Sequence, residues 1–162
     1  MMDFEEIKKK IEELKRSGTV DLSTDEDLSI AVMNLISLEE HFFFTAQKTG
    51  KEDYLNLLHQ AREMRKKLLA RLIPANEGET WCVSKHLLAA TMRLMEVGTK
   101  LHSDKKKDEA REVFSKAGEL FSLFWGLRLK LIDVSDLKEQ AASERPWTLK
   151  DIMDKLVNCC DE

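Results

Sequence analysis

Residues 37–44 read SLEEHFFF, with Glu39, Glu40 and His41 set directly before three phenylalanines. Carboxylates and an imidazole are the ligand types of a dinuclear metal centre in a helical bundle. That centre needs Glu-x-x-His on two helices, so that the acid and the imidazole share a face one turn apart. The residues three before His41, His59, His86 and His102 are Leu38, Asn56, Val83 and Thr99, none of them an acid. The spacing therefore excludes a di-iron or di-manganese site. Cys82 and His86 are four apart and could supply two of the four ligands of a zinc ion, with His41 or Glu40 as candidates for the others. No second Cys/His pair accompanies them, and no metal or other cofactor is expected.

The stretch Trp81-Cys82-Val83-Ser84-Lys85-His86 is the one place where a nucleophile is suggested. A thiol in the first turn of a helix, with cations one turn along, is biased toward thiolate. Cys82 and His86 are thus the catalytic candidates. The competing reading is a small packing cysteine, and no Asp or Asn is identifiable as an orienter for His86. No glycine-rich phosphate loop, Gly-x-Ser-x-Gly elbow or paired-cysteine zinc motif occurs. The balance favours a protein without catalytic activity.

Placing the apolar residues at 100° per residue exposes a different oddity: charges written onto faces that should be core. In the second predicted helix, Leu28, Val32, Leu35, Ile36, Phe42 and Phe43 share an arc with Glu39 near its middle. Glu40 falls at one border and His41 on the polar side. In the third, Tyr54, Leu57, Leu58, Ala61, Leu68, Leu69 and Leu72 surround Arg65, with Arg62 just inside the edge. In the fifth, Ala110, Val113, Ala117, Phe121, Phe124 and Leu131 surround Arg128. A buried charge without a partner costs several kcal/mol, so these groups are expected to meet. Glu39 and Glu40 are the predicted internal counter-ions, with Arg65, Arg62 or Arg128 opposite Glu39. The alternative counts charge: surplus guanidinium in a bundle interior suits a phosphate or carboxylate. Arg62, Arg65, Arg128 and Lys85 would then bind a small anionic ligand, such as a nucleotide.

The elements that must position these residues are helical throughout. Two prolines and six glycines punctuate the chain, and β-branched residues never alternate over a strand length. Helices are predicted over about 3–16, 24–48, 52–72, 80–101, 108–132 and 148–158. Thr24 and Thr148 are read as caps, each with an acid three residues on. Four long helices with short loops predict an all-α, antiparallel four-helix-bundle-like core over about 24–133. The short helices at 3–16 and 148–158 are accessories to a single domain covering 1–162.

Leu94, Val97-Gly98, Leu101, Ala110, Phe114 and Ala117 have the spacing of a helical hairpin whose small residues permit close approach. Over residues 94–117 this resembles one tetratricopeptide repeat, which implies a helix pair used in protein–protein interaction. The proline that usually closes such a repeat is absent, Ser122 stands near its place, and no second copy follows in register.

A length of 162 residues is enough for a real core. Charged residues make up 35% of it, at a net charge of −4 and a pI near 5.7, so no global field attracts nucleic acid. Lys105-Lys106-Lys107 reads as a solvated turn. No stretch has the ~18 consecutive apolar residues of a membrane span. Three cysteines do not suggest a secreted disulfide framework, and a cytoplasmic setting is expected. A protein partner or self-association is the expected mode of action.

Overall fold

The computed structural model describes residues 4–18, 22–74 and 78–135. Among the described residues five helices follow one another: α1 (Phe4–Ser17), α2 (Leu22–Thr49), α3 (Asp53–Leu72), α4 (Glu79–Ser103) and α5 (Lys107–Arg128). No strand occurs among the described residues. The predicted helix at 148–158 lies outside them.

The chain reverses where its backbone chemistry allows it. Gly50, at φ 67°, ends α2, and its N–H donates to the Ala46 carbonyl at 2.8 Å. Such a positive φ carries no Cβ penalty in glycine. Ile73 leaves α3 in an extended conformation, the one a residue before proline prefers, and Pro74 follows. Lys105 and Lys130 end α4 and α5 at φ 63° and 55°. In each case two backbone bonds close the helix end. Lys105 N–H donates to His102 O and Lys106 N–H to Leu101 O, while Lys130 N–H donates to Leu127 O and Leu131 N–H to Gly126 O. Both are Schellman closures with lysine where glycine is usual.

Two helix ends differ from those predicted. α2 begins at Leu22, two residues before the Thr24 cap signal, and Leu22 is packed against the core. Apolar burial outweighs the local cap there. α5 stops at Arg128, not near Ile132. After the left-handed Lys130 the chain departs from helical periodicity, and Leu129, Leu131 and Ile132 are all buried. A continued helix would have spread these side chains over several directions.

α2 packs with α3 and α4 with α5 as antiparallel hairpins, and α2 meets α4 to join the two. The core draws on the first half of α2 (Val32, Met33), the end of α3 (Leu69, Leu72, Ile73), the first half of α4 (Leu88) and the end of α5 with its following turn (Phe124, Trp125, Leu127, Leu129, Leu131, Ile132). Phe121, Phe124 and Trp125 form a ring cluster with centroids 5.6–6.1 Å apart. Leu14 of α1 packs on the same core. All these contributions come from one end of the two hairpins.

Candidate functional site: an open end above an ion pair

The stripes that build the core do not stop where the core stops. Residues seven apart on a helix lie within about 20° of one face. Phe43 follows Ile36 by seven, Met95 follows Leu88 by seven, Phe114 precedes Phe121 by seven and Leu55 precedes Leu69 by fourteen. Ile36, Leu88, Phe121 and Leu69 belong to the core or pack against it. Their counterparts Phe43, Met95, Phe114 and Leu55 are between 40% and 47% exposed. Each of the four helices thus carries a large exposed apolar side chain one or two heptads from a core position, at the end of the hairpins away from the core.

The Glu39–Arg65 pair lies between the two regimes. Glu39 is seven residues beyond the fully buried Val32, and Arg65 is four before the fully buried Leu69. Arg65 Nε donates to Glu39 Oε1 at 2.8 Å and Arg65 Nη2 to Oε2 at 3.2 Å. The side chains are 4% and 13% exposed. Such a side-on double bond satisfies both carboxylate oxygens and fixes the orientation of the fork. It forms a polar floor under the open end, next to Phe43 on α2.

The other sequence candidates go to separate places. Arg128 Nη2 donates to Asp25 Oδ2 at 2.7 Å, tying the end of α5 to the first turn of α2, while Arg128 Nε is buried without a hydrogen-bond partner. Each charge also sits at the helix terminus that its sign suits. Arg62 is exposed, and no ion pair holds it among the described residues. Arg62, Arg65 and Arg128 thus share no partner. Glu40 accepts from Arg93 at 2.5 Å, and Arg93 also donates to Glu96 at 2.6 Å, a half-exposed bridge between α2 and α4. Asp25 and Arg93, the partners of Arg128 and Glu40, were not expected in those roles from the helical wheels. Asp25 was visible only as an acid in a helix first turn, and nothing local ties it to a residue 103 positions away.

Cys82 lies exposed in the first turn of α4, with His86 exposed and Lys85 half-buried. His41 is exposed and lines a polar surface cavity of about 400 Å³ with Glu40, Phe44, Lys48, Arg93 and Glu96. Among the described residues no group of three or more His, Cys, Asp or Glu side chains converges as a metal site would require. At the surface, a hydrogen bond from Lys66 holds the Glu63 carboxyl below the ordinary glutamate value.

The α4–α5 seam carries the small residues of the repeat-like spacing. Gly98, Ala110 and Ala117 are buried there. A Cβ on Gly98 would stand 2.6 Å from Phe114 Cε1 and 2.7 Å from Cδ1. The Phe114 ring therefore lies flush on the α4 backbone. Beside it, His102, Lys107 and Arg111 rim a surface cavity of about 320 Å³ with Ala110 and Phe114.

No protein-family model, curated protein or solved structure matches this chain.

Proposed function

We propose that the protein is a non-enzymatic, cytoplasmic helical interaction module whose open inner face receives an apolar helix. The observation that carries this is the continuation of four core stripes onto Phe43, Leu55, Met95 and Phe114, all substantially exposed. Single exposed apolar residues are ordinary, but four that each lie one or two heptads from a core position, one on each helix, are the kind of anchor that helix-in-groove recognition uses. Helix-in-groove recognition needs apolar anchors at helical spacing and a polar border. Here Lys107 and Arg111 rim the cavity beside Phe114, and Arg62 lies seven residues along α3 from Leu55. The Glu39–Arg65 floor adds a fixed polar level that limits how deep an occupant sits. The alternative, an anion or nucleotide held by the arginines, has weaker support, because Arg65 and Arg128 already carry carboxylate partners.

The test compares affinity capture from native lysate by the wild-type chain and by Phe43→Asp/Met95→Asp. Both sites are solvent-exposed, so the variant should keep its melting temperature within a few degrees. The expected result is loss of specific partners with the fold intact. An unchanged set of captured proteins would overturn the reading. Isothermal titration with inorganic phosphate and ATP provides the contrast: binding abolished by Arg62→Ala would favour the anion alternative.

A further inference from the structure

We propose that the cavity beside the turn between α4 and α5 binds a nucleoside monophosphate, with the base on the Phe114 ring and the phosphate held by Lys107, Arg111 and His102. The proposal goes beyond the helix-receiving reading and shares only Phe114 with it. Its cations are also not the core arginines, of which Arg65 and Arg128 already hold carboxylates.

Lys107, Ala110, Arg111 and Phe114 fall at i, i+3, i+4 and i+7 of α5, so they share one face, and His102 joins them from the last turn of α4. Together they line a cavity of about 320 Å³ whose surface is mostly carbon. That volume is at the lower end for small-molecule sites. Phe114 is its platform. A Cβ at Gly98 would meet three carbons of the ring at 2.6, 2.7 and 3.0 Å, so the ring rests on the α4 backbone, yet Phe114 is still 40% exposed. An aromatic ring pinned in this way offers a stacking surface that needs little further ordering on binding.

The charges around the platform favour an anion. Three of the five lining residues are basic and none is acidic, in a chain of net charge −4. The acids at the start of α5 belong to other faces: at 100° per residue, Asp108, Glu109 and Glu112 lie about 110°, 150° and 150° from the centre of the cavity face. Asp108 does pair with Arg111 at 3.1 Å, but the two side chains are 95% and 79% exposed, so water screens the pair and the guanidinium can exchange partners. Glu109 lies 3.7 Å from Lys106, and Asp104 precedes the run Lys105-Lys106-Lys107 in the turn. On α4, Glu96 is held by Arg93 at 2.6 Å. A phosphate matches what remains, because its oxygens can accept from an ammonium, a guanidinium and an imidazole N–H together. The carbon lining adds nothing for a bare ion and calls for a ligand with an apolar, planar part. Arg111 and Lys107 lie about 4.5 and 10.5 Å along α5 from Phe114, a range that includes the separation of base and phosphate in a mononucleotide.

The experiment titrates the isotope-labelled full chain with adenosine monophosphate, adenosine and inorganic phosphate, and follows the backbone amides by NMR. The expected result is saturable shifts confined to residues 98–114 with the monophosphate, and affinities about tenfold or more weaker for adenosine and for phosphate alone. Lys107→Gln/Arg111→Gln changes only exposed side chains and should weaken the monophosphate by about tenfold. Phe114→Leu keeps an apolar side chain over Gly98 and should lower the monophosphate to the affinity of inorganic phosphate. Unchanged amide shifts elsewhere in each variant report a retained fold. The absence of saturable shifts at millimolar monophosphate would overturn the proposal, and so would equal affinity for the monophosphate and either of its fragments. Binding that survives Lys107→Gln/Arg111→Gln but is lost in Arg62→Ala would also overturn it and place the anion on α3. None of these failures touches the interaction reading, whose capture test rests on Phe43→Asp/Met95→Asp.

Discussion

Arg65 on α3 holds Glu39 on α2 through two hydrogen bonds, at 2.8 and 3.2 Å, at the level where the core gives way to the open end. The pair is nearly sealed from water, yet it is complete: each carboxylate oxygen accepts one bond. Such a pair stabilises little relative to a well-packed apolar replacement, because desolvation offsets its attraction. Its more evident effect is to fix the register of α2 against α3 and to stop the apolar core at a defined height.

Removing one partner is expected to be far worse than removing both. Arg65→Ala leaves Glu39 without its counter-ion and should cost about 3–5 kcal/mol in urea unfolding. Arg65→Met/Glu39→Leu should fall between neutral and about 4 kcal/mol more stable than wild type. A double variant as unstable as Arg65→Ala would show that the pair contributes more than charge compensation.

Gly98 and Phe114 should show a reversal of sign. In the wild type, Gly98→Ala drives a methyl group into the Phe114 ring, which a Cβ would meet at 2.6 Å, and should destabilise by about 1–3 kcal/mol. In a Phe114→Ala background the clash disappears. The same change should then stabilise by up to about 1 kcal/mol through helix propensity alone. The double-mutant cycle measures this coupling directly.

Lys105 occupies a left-handed backbone position at the end of α4, and a non-glycine residue there costs about 1–2 kcal/mol. Lys105→Gly should relieve part of that strain and raise stability by about 0.5–1 kcal/mol, read as a higher denaturant midpoint at unchanged slope. A lower midpoint would mean that the lysine side chain stabilises the turn by more than the strain.

Ser84 is fully buried on α4, and its Oγ has no hydrogen-bond partner. Ser84→Ala removes the unsatisfied hydroxyl and adds helix propensity, so stability should rise by about 1 kcal/mol. Thermal unfolding checks the sign, and a lower melting temperature would show that the hydroxyl is satisfied in solution, for example by a buried water.

The helices were legible because their signals are local. The three-to-four-residue spacing of apolar side chains, Gly50 and Pro74 all act within a turn or two of themselves. The Glu39–Arg65 meeting was nearly legible, since each charge stood in the middle of an apolar arc and the desolvation cost leaves few alternatives. Arg128 was read correctly as lying on an apolar arc, but its partner proved to be Asp25, an ordinary first-turn acid by sequence. The early stop of α5 was not legible, because it depends on lysine adopting a conformation it ordinarily avoids. Three buried side chains, Leu129, Leu131 and Ile132, accompany that conformation.

The sequence by itself determined five described helices, their approximate lengths and which faces are apolar, because these follow from backbone geometry and side-chain periodicity within each segment. Only the tertiary structure decided which of the apolar positions are buried and which stay exposed. A heptad stripe is the same string of letters whether a neighbouring helix covers it or not. Phe43 and Ile36 look equivalent on a wheel, and so do Met95 and Leu88. The packing of two hairpins through α2 and α4 buries one of each pair and leaves the other exposed, because burial is a property of the assembled chain and not of any one segment.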